Sequence, residues 1–445
     1  MARDVVLTRL AALLHDAAHI PFGHLIEDEG RVIKEKQWEN EFRMERLLGE
    51  GSNIHEAIEE SLRSRKFSNR EIGRLIEDLK RILRYEEGGT LPSSFEKRYI
   101  ADIVGNTICA DLLDYVKRDI YFTGIFGQYD ERLFAYFTLV NNGDKKVVIK
   151  LTKPNSDKLR YDTLSAILDL MRLRYSIAEK VYFHHTRQKL SAMIIEMIEA
   201  AFKAKILNEE MLFDMNDDSL LKYIANYNNE EIDDKNRKFI YIAKNMANKI
   251  LNRELYDEVF YVERWQYENK AETRREVDKL VNNWNERFDL ERFLEEKLKL
   301  DPGSIIIYAP PPKMGAKDEI HTEVEFDGDI LPLHEMVERK SQFNFIKEDI
   351  NIIKHKHERL WNFKVFCDKN VGNKTEDIKS ILGEWLIQCE IGRDILSLVE
   401  GLEADQVIEC KELIKELMAA ETMPADISRL RYLITTAEEM LLRKK

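Results

Sequence analysis

Residues 13–24 read Leu-Leu-His-Asp-Ala-Ala-His-Ile-Pro-Phe-Gly-His, and no other stretch limits the chain as strongly. Three of the ten histidines in the sequence fall within ten residues here, with an aspartate beside the first. Adjacent His15 and Asp16 offer an imidazole nitrogen and a carboxylate oxygen, donors that suit a borderline or hard divalent ion. His15 and His19 are four residues apart and share a face if the preceding apolar helix continues through them. Pro21 then ends that helix, and His24 follows the turn. One isolated histidine would most simply be a solvated or core residue. The whole run His-Asp-x-x-His-x-Pro-x-x-His argues for a ligand cluster.

The composition says what carries this cluster. Nine prolines and 18 glycines in 445 residues leave long stretches uninterrupted, and Leu, Ile, Glu and Lys dominate. A mainly α fold is expected, of two to three domains by length. The net charge of −13 speaks against a general electrostatic affinity for nucleic acid or membranes, while leaving room for a local basic pocket. Cys109, Cys367, Cys389 and Cys410 are widely spaced with no C-x-x-C pair. They read as reduced thiols of a cytoplasmic protein, not as a disulfide frame or zinc site. No 18-residue apolar run and no signal peptide is seen, so no membrane partner is expected.

Amphipathic helices are expected at 39–63 and 70–84, a loop at Glu87–Pro92, and a helix at 96–122. Two β-rich runs around Asn141-Asn142-Gly143-Asp144 predict a hairpin over 133–152. A long helix over about 159–205 carries Arg172, Arg174, Tyr182, His184 and His185. Asp214–Ile224 has the pattern of a capped helix start. Charged helices follow over 230–300, up to the boundary Asp301-Pro302-Gly303. A small sheet is expected over 301–335, then helices to Lys445 with a break near 368–374. The expected domains are a helical one over 1–300, a small α+β region over 301–370, and a helical C-terminal region over 371–445.

A catalytic ion takes three or more protein ligands, so His15 and Asp16 need a distant partner. Asp111 is the best candidate. Asp111, Tyr115 and Asp119 follow one another at four-residue steps, so one helix face shows carboxylate, phenol, carboxylate. From spacing alone these are equally well ordinary surface acids paired with Lys117 and Arg118.

His15-Asp16 with His19, Pro21, Phe22 and His24 resembles the HD superfamily of metal-dependent phosphohydrolases, and more closely its deoxynucleoside triphosphate triphosphohydrolases. Asp111-x-x-Asp114-Tyr115-x-x-Arg118-Asp119 is similar to that family's second signature. The hairpin at 133–152, the segment Asp169-Leu170-Met171-x-x-Arg174, Tyr182-x-His184 and the strand-like run after Asp301-Pro302 stand in the family's order. The resemblance covers roughly residues 1–335. It implies an HD-type helical core with a β-hairpin insertion and a small α+β C-terminal region followed by helices. It also implies a divalent metal (Mn, Fe, Mg or Zn) on His15, Asp16 and Asp111, with His19 and His24 at the phosphates. Tyr115 and Asp119 would contact the sugar, and Arg174, Tyr182 and His184 would lie near the nucleotide. The implied reaction is hydrolysis of a dNTP to deoxynucleoside and triphosphate, by a chain that assembles with copies of itself.

Two departures bear on this. The family's metal set begins with a further histidine a few tens of residues upstream, whereas 14 residues precede His15 here; a weaker, looser metal site is expected. The family's acid–base His-Glu pair has its nearest match in Trp38-Glu39-Asn40-Glu41, with Asn40 at the histidine position and Glu41 retained as the catalytic carboxylate. His55 is the nearest replacement, on a helix surface. The alternatives are an HD phosphohydrolase acting on another nucleotide or single-stranded nucleic acid, and a non-catalytic HD module that binds nucleotide or a partner protein.

Overall fold

The computed structural model describes residues 2–33, 35–85, 95–142, 144–153, 156, 158–228, 234–315 and 320–383. The expected loop at Glu87–Pro92, Cys389, Cys410 and most of the expected C-terminal helical region lie outside these residues. The fold is mainly α, with two small sheets. No helix among the described residues is long and apolar enough to cross a membrane.

The chain opens with α1 (Ala2–Leu14), α2 (Glu41–Leu48), α3 (Asn53–Ser64), α4 (Asn69–Leu83), α5 (Arg98–Val104) and α6 (Ala110–Thr123). The expected helix at 39–63 is two, because Ser52 restarts the chain as an N-cap, its hydroxyl accepting from His55 N. The expected helix at 96–122 is also two, with Cys109 Sγ accepting from Leu112 N at the start of α6. Strands β1 (Phe137–Asn142) and β2 (Asp144–Lys150) form the predicted hairpin, preceded by a 3₁₀ turn at Glu131–Tyr136 where a strand was expected to begin.

Next come α7 (Tyr161–Ile177), α8 (His185–Lys203), α9 (Glu209–Phe213), α10 (Asp217–Ala225) and α11 (Asp234–Leu251). The single helix expected over 159–205 breaks at a π turn, Ala178–Tyr182, closed by Phe183 N–H donating to Ala178 O. Asn216 and Ser219 cap α10 reciprocally, as its sequence predicts. The remaining elements are β3 (Asp257–Glu263), α12 (Arg264–Asn269), α13 (Ala271–Asn282), α14 (Trp284–Leu298), β4 (Ile305–Tyr308), β5 (Glu323–Phe326), β6 (Asp329–Pro332), α15 (Leu333–Arg339), α16 (Asn344–Glu358) and β7 (Asn362–Cys367).

The expected single sheet over 301–335 is two. β5 pairs parallel to β2 and antiparallel to β6, which extends the hairpin to the order β1-β2-β5-β6. Asp327 and Gly328, both at positive φ, make the two-residue turn inside what read as one strand. β4 instead joins a separate sheet of order β3-β7-β4. Both other strands of that sheet were expected to be helical. β3 carries its charges at the ends and turns Val259 and Val262 inward. β7 lies in the centre, its apolar run buried on both faces, and such short runs have no period that separates strand from helix.

The chain forms two compact units, each of discontinuous segments. The first comprises 1–187, 208–220 and 312–360; the second takes the rest. In the first, Leu7, Ala11 and Leu14 of α1 pack with Ile72, Ile76 and Leu79 of α4 and Ile100 and Ala101 of α5. In the second, Trp361, Phe363, Val365 and Ile305 lie at the centre of the core.

The second unit also buries charge. Glu196 and Glu199 on α8 face Arg287, Glu291, Arg292 and Glu295 on α14, all less than a tenth exposed. Arg287 pairs with Glu199, and Arg292 with Glu196, Glu291 and Glu295. Glu295 Oε1 accepts from Ile305 N at 3.0 Å and Glu291 Oε1 from Ile307 N at 2.6 Å. β4 is an edge strand, so these are the backbone donors its neighbour β7 leaves unused. Carboxylates four residues apart on one helix span about 6 Å, which matches alternate N–H groups of a strand. Burial pushes the Glu199 and Glu295 carboxyls up to about 7, against the pull of Arg287 and Arg292.

A stability profile follows. An unfolded carboxyl ionises near 4.5, so between 4.5 and 7 the folded chain holds the extra proton. The stabilisation is complete below that interval and is lost as pH climbs through 7, by on the order of 3 kcal/mol per carboxyl. Urea unfolding followed from pH 5 to 8 should therefore show stability falling, and Glu295→Gln should flatten part of the slope. A flat wild-type profile contradicts the assignment.

Candidate active site

α1 ends at Leu14, and residues 15–18 form a turn instead of the expected further helical turn. His19 N–H donates to Asp16 O, so His15 and His19 are placed by a tight turn and not by a helix face. The His15 ring is fixed by Nδ1, which lies 2.8 Å from Ala12 O. That contact makes Nδ1 the protonated nitrogen and leaves Nε2 to act as a ligand when the ring is neutral. Nε2 faces Asp111 Oδ1 at 3.3 Å and Asp16 Oδ2 at 3.2 Å. One donor atom from each of His15, Asp16 and Asp111 lies within 4.8 Å of the others. Asp111 belongs to the first turn of α6, 96 residues from His15.

The donor set fits a divalent ion: one imidazole nitrogen, two carboxylate oxygens and an excess of negative charge. The same excess acts on His15 in the metal-free chain. Asp111, then Asp16, raise it to about 10, while Asp16 is held far below the usual carboxylate range by His15 and His19. The carboxylates thus demand positive charge at Nε2, which a bound cation supplies by displacing the proton.

His19 stands behind this group. Its Nδ1 lies 2.6 Å from Glu27 Oε2, and its Nε2 lies 2.8 Å from Gln37 Nε2 and 3.5 Å from Asp16 Oδ1. Burial disfavours its charged form, but Asp16 and Glu27 outweigh burial and lift it to about 9. An amide nitrogen facing Nε2 suits a neutral ring; turning the Gln37 amide over presents its oxygen and suits the imidazolium that the two carboxylates favour. Glu27 is 1% exposed and accepts from Arg43, itself 2% exposed, at 2.5 Å, and from Gln37 N at 3.2 Å. Glu27 lies in a π turn, Leu25–Glu29, that follows a backbone reversal with Phe22 and Gly23 both at positive φ. A Cβ on Gly23 would stand 3.4 Å from the His19 ring, so glycine there permits both the turn and the ring's close approach. Phe22 N–H is held by Asp217 Oδ1 at 2.9 Å.

His24 packs edge-on against His19 with ring centroids 4.5 Å apart, and its Nδ1 lies 2.7 Å from Asp28 Oδ2. Lys36 also reaches Asp28. Along α6, Tyr115 lies one turn beyond Asp111, with the Arg174 guanidinium beside its hydroxyl. The Tyr182 hydroxyl donates to Asp119 Oδ2, and the Tyr115 and Tyr182 rings lie 6.4 Å apart. Burial, then Asp119, push the Tyr182 phenol well above its ordinary value. Asp114 points outward to Arg118, and Lys117 reaches Glu131. The surface pairing weighed for this helix therefore holds for Asp114 and in part for Asp119, whose Oδ1 lies 3.7 Å from Arg118 Nε, but not for Asp111.

Among the expected residues, His15, Asp16 and Asp111 come together, as do His19 and His24, and Tyr115, Asp119, Arg174 and Tyr182. His184 does not join them: it is exposed, its ring 4.2 Å from His185, its Nδ1 accepting from Thr186 N. Glu41 is exposed and paired with Arg84, while Asn40 caps α2 by accepting from Arg43 N. His55 Nδ1 lies 2.9 Å from Leu48 O, a local structural bond. Glu27, Gln37 and Arg43 were not foreseen. The run Glu27-Asp28-Glu29 directly after the third histidine carried the signal, but neighbouring acids ordinarily read as solvated; only the π turn buries the outer two.

Comparison with known proteins places the chain in a family. A family model described as HD domain matches residues 1–119, and one described as HD associated region matches residues 159–382. The chain belongs to the HD superfamily and resembles its deoxynucleoside triphosphate triphosphohydrolases. An uncharacterized protein of Methanocaldococcus jannaschii is 25% identical over 398 residues, 87% of this chain and 70% of its own length. The deoxynucleoside triphosphate triphosphohydrolase SAMHD1 homolog of Dictyostelium discoideum is 25% identical over 282 residues, 61% of this chain and 48% of its own. The SAMHD1 enzyme of Gallus gallus is 25% identical over 223 residues, 45% and 33% respectively. The chain thus spans half or less of the length of these two enzymes.

The buried Glu27–Arg43 pair yields a second test. Glu27→Ala strands the Arg43 guanidinium without its carboxylate, a change that costs about 3–5 kcal/mol. Urea unfolding of the variant should show that loss; a change below about 1 kcal/mol would mean that the pair is solvated.

Proposed function

We propose that this chain is a metal-dependent phosphohydrolase and that its substrate is a deoxynucleoside triphosphate, split into deoxynucleoside and triphosphate. The observation that carries this reading is the convergence of His15 and Asp16 with Asp111 across 96 residues. A scaffold needs no such meeting of a histidine and two mutually repelling carboxylates.

The roles follow from the geometry. His15, Asp16 and Asp111 would hold a divalent ion, which when bound would supply Lewis-acid polarisation of a phosphoryl oxygen and of water. His19, oriented by Glu27, donates to the phosphate chain and absorbs charge developing in the transition state. Glu27 stands in for Glu41, expected as the catalytic carboxylate, and the imidazole missing at Asn40 is supplied by His19. His24, stacked on His19, widens the donor surface toward the phosphates. Tyr115 and Tyr182 line the path from the metal ligands along α6, and Asp119 accepts from a sugar hydroxyl or, as here, from Tyr182. This crowded wall favours a ring without a 2′-hydroxyl. Arg174 balances phosphate or polar groups of the nucleotide.

Metal analysis and product identification test the reading. The purified chain should retain Mn, Fe, Zn or Mg, and should release deoxynucleoside and triphosphate from a dNTP supplied with Mn²⁺. Asp16→Ala should lose metal and turnover together. His19→Gln should keep the metal while the rate drops roughly 10²–10⁴-fold. Absence of bound metal and of turnover with any nucleotide would overturn the proposal. Cleavage of a different phosphate ester would keep the chemistry and discard the substrate.

A further inference from the structure

α6 starts on a weak cap. Cys109 Sγ, a poor acceptor, takes the Leu112 N–H at 3.4 Å. Asp111 lies in the first turn, where a helix has no partners of its own for the backbone N–H groups. Where Asp111 stands therefore depends on residues 105–109, which lead from α5 into α6. These residues are tied to a distant part of the chain. Ile108 N–H donates to Thr322 Oγ1 at 2.8 Å, across 214 residues. In return, His321 N–H donates to Thr107 Oγ1 at 3.1 Å. Each threonine thus accepts from the backbone of a residue beside the other. Thr322 Oγ1 in turn donates to Asn106 Oδ1 at 3.4 Å, the oxygen that also accepts from Thr107 N–H at 2.6 Å. Both threonines are buried, so water does not replace a bond lost here.

The strand side of this clamp is firmly placed. Thr322 immediately precedes β5, which pairs with β2 on one side and β6 on the other. The Thr322 carbonyl accepts from Leu333 N–H, at the start of α15, at 3.2 Å. Val324 and Phe326 of β5 share a core with Ile108, Leu112 and Leu113. Apolar contact draws strand and helix together without fixing their register; the two threonine bonds fix it. Resting on the reading of His15, Asp16 and Asp111 as a metal centre, we propose that Thr322 is a positioning residue for that centre. Its hydroxyl holds Ile108, and through it the entry to α6, so that Asp111 faces His15 before an ion arrives. Without that bond the ion has to order the start of α6 as it binds, and the cost is read as lost affinity. Thr107 closes the same clamp from the other side.

Mn²⁺ binding by titration calorimetry tests this independently of turnover. Thr322→Val keeps the branched side chain and removes the hydroxyl; it should weaken Mn²⁺ by about tenfold or more. Thr322→Ser returns the hydroxyl and should bind Mn²⁺ as the parent does. Thr163 on α7 is also buried, and its hydroxyl has no hydrogen-bond partner among the described residues. Thr163→Val therefore removes a buried hydroxyl without loosening α6, and should leave Mn²⁺ affinity unchanged. If Thr322→Val does not fold, Thr107→Val carries the test, with an expected loss of about fivefold for one hydrogen bond. Parent-like affinity in Thr322→Val, or in Thr107→Val where it stands in, would overturn the proposal. So would an equal loss in Thr322→Ser or Thr163→Val, which marks a general response to a core substitution. Asp111→Ala separates the two levels of the argument. If it binds Mn²⁺ as tightly as the parent, the metal centre itself is misassigned; if it loses Mn²⁺ while Thr322→Val does not, only the role of Thr322 fails.

Discussion

The meeting of His15 with Asp111 depends on how α1 packs. Leu7 and Ala11 lie against Ile100 and Ala101 of α5, and α5 leads through five residues into α6. The end of the first helix and the start of the sixth are therefore held together by apolar burial, which carries no directional preference of its own. Direction comes from the local bonds: Ala12 O fixes the His15 ring, and the turn at 15–18 swings Asp16 back beside it. Hydrophobic contact supplies most of the energy that assembles the centre, and hydrogen bonds supply its angles. Two carboxylates and an imidazole then stand in a geometry that costs the protein repulsion unless a positive charge joins them.

The second ring of contacts is electrostatically tighter than the first. Glu27 is nearly sealed from water and binds both a buried guanidinium and His19. Removing one partner from such a pair costs more than the pair contributes, since the other is left charged and dry. Glu27 is therefore constrained from two sides at once, by folding through Arg43 and by site geometry through His19.

Much of this could be read from the residues because its signals are local. His-Asp-x-x-His-x-Pro-Phe-x-His lies in one short stretch, the hairpin announces itself through Asn-Gly, and the step from Asp111 to Tyr115 to Asp119 is a helical period. What escaped was set by distant partners. β3 and β7 have no strand period that survives burial on both faces or charges at both ends. The run 301–335 looked like one sheet because the sequence does not say that β4 will pair with β7 while β5 pairs with β2. Asn40-Glu41 sits close to the motif in sequence, yet Glu41 turns out to Arg84, and the carboxylate that reaches His19 arrives through a π turn that propensity does not signal.

The treatment of β4 has a consequence of its own. A sheet edge with unpaired N–H groups is an open template, and Ile305-Ile306-Ile307 is the kind of short apolar run that adds strands from other chains. Glu291 and Glu295 occupy those donors with side-chain oxygens that do not extend the ladder. The safeguard lasts only while α14 stays docked. Partial loosening of that helix would uncover an adhesive edge before the rest of the molecule unfolds, so self-association on mild heating, or as the pH rises through 7 and the buried carboxyls ionise, should begin at this strand.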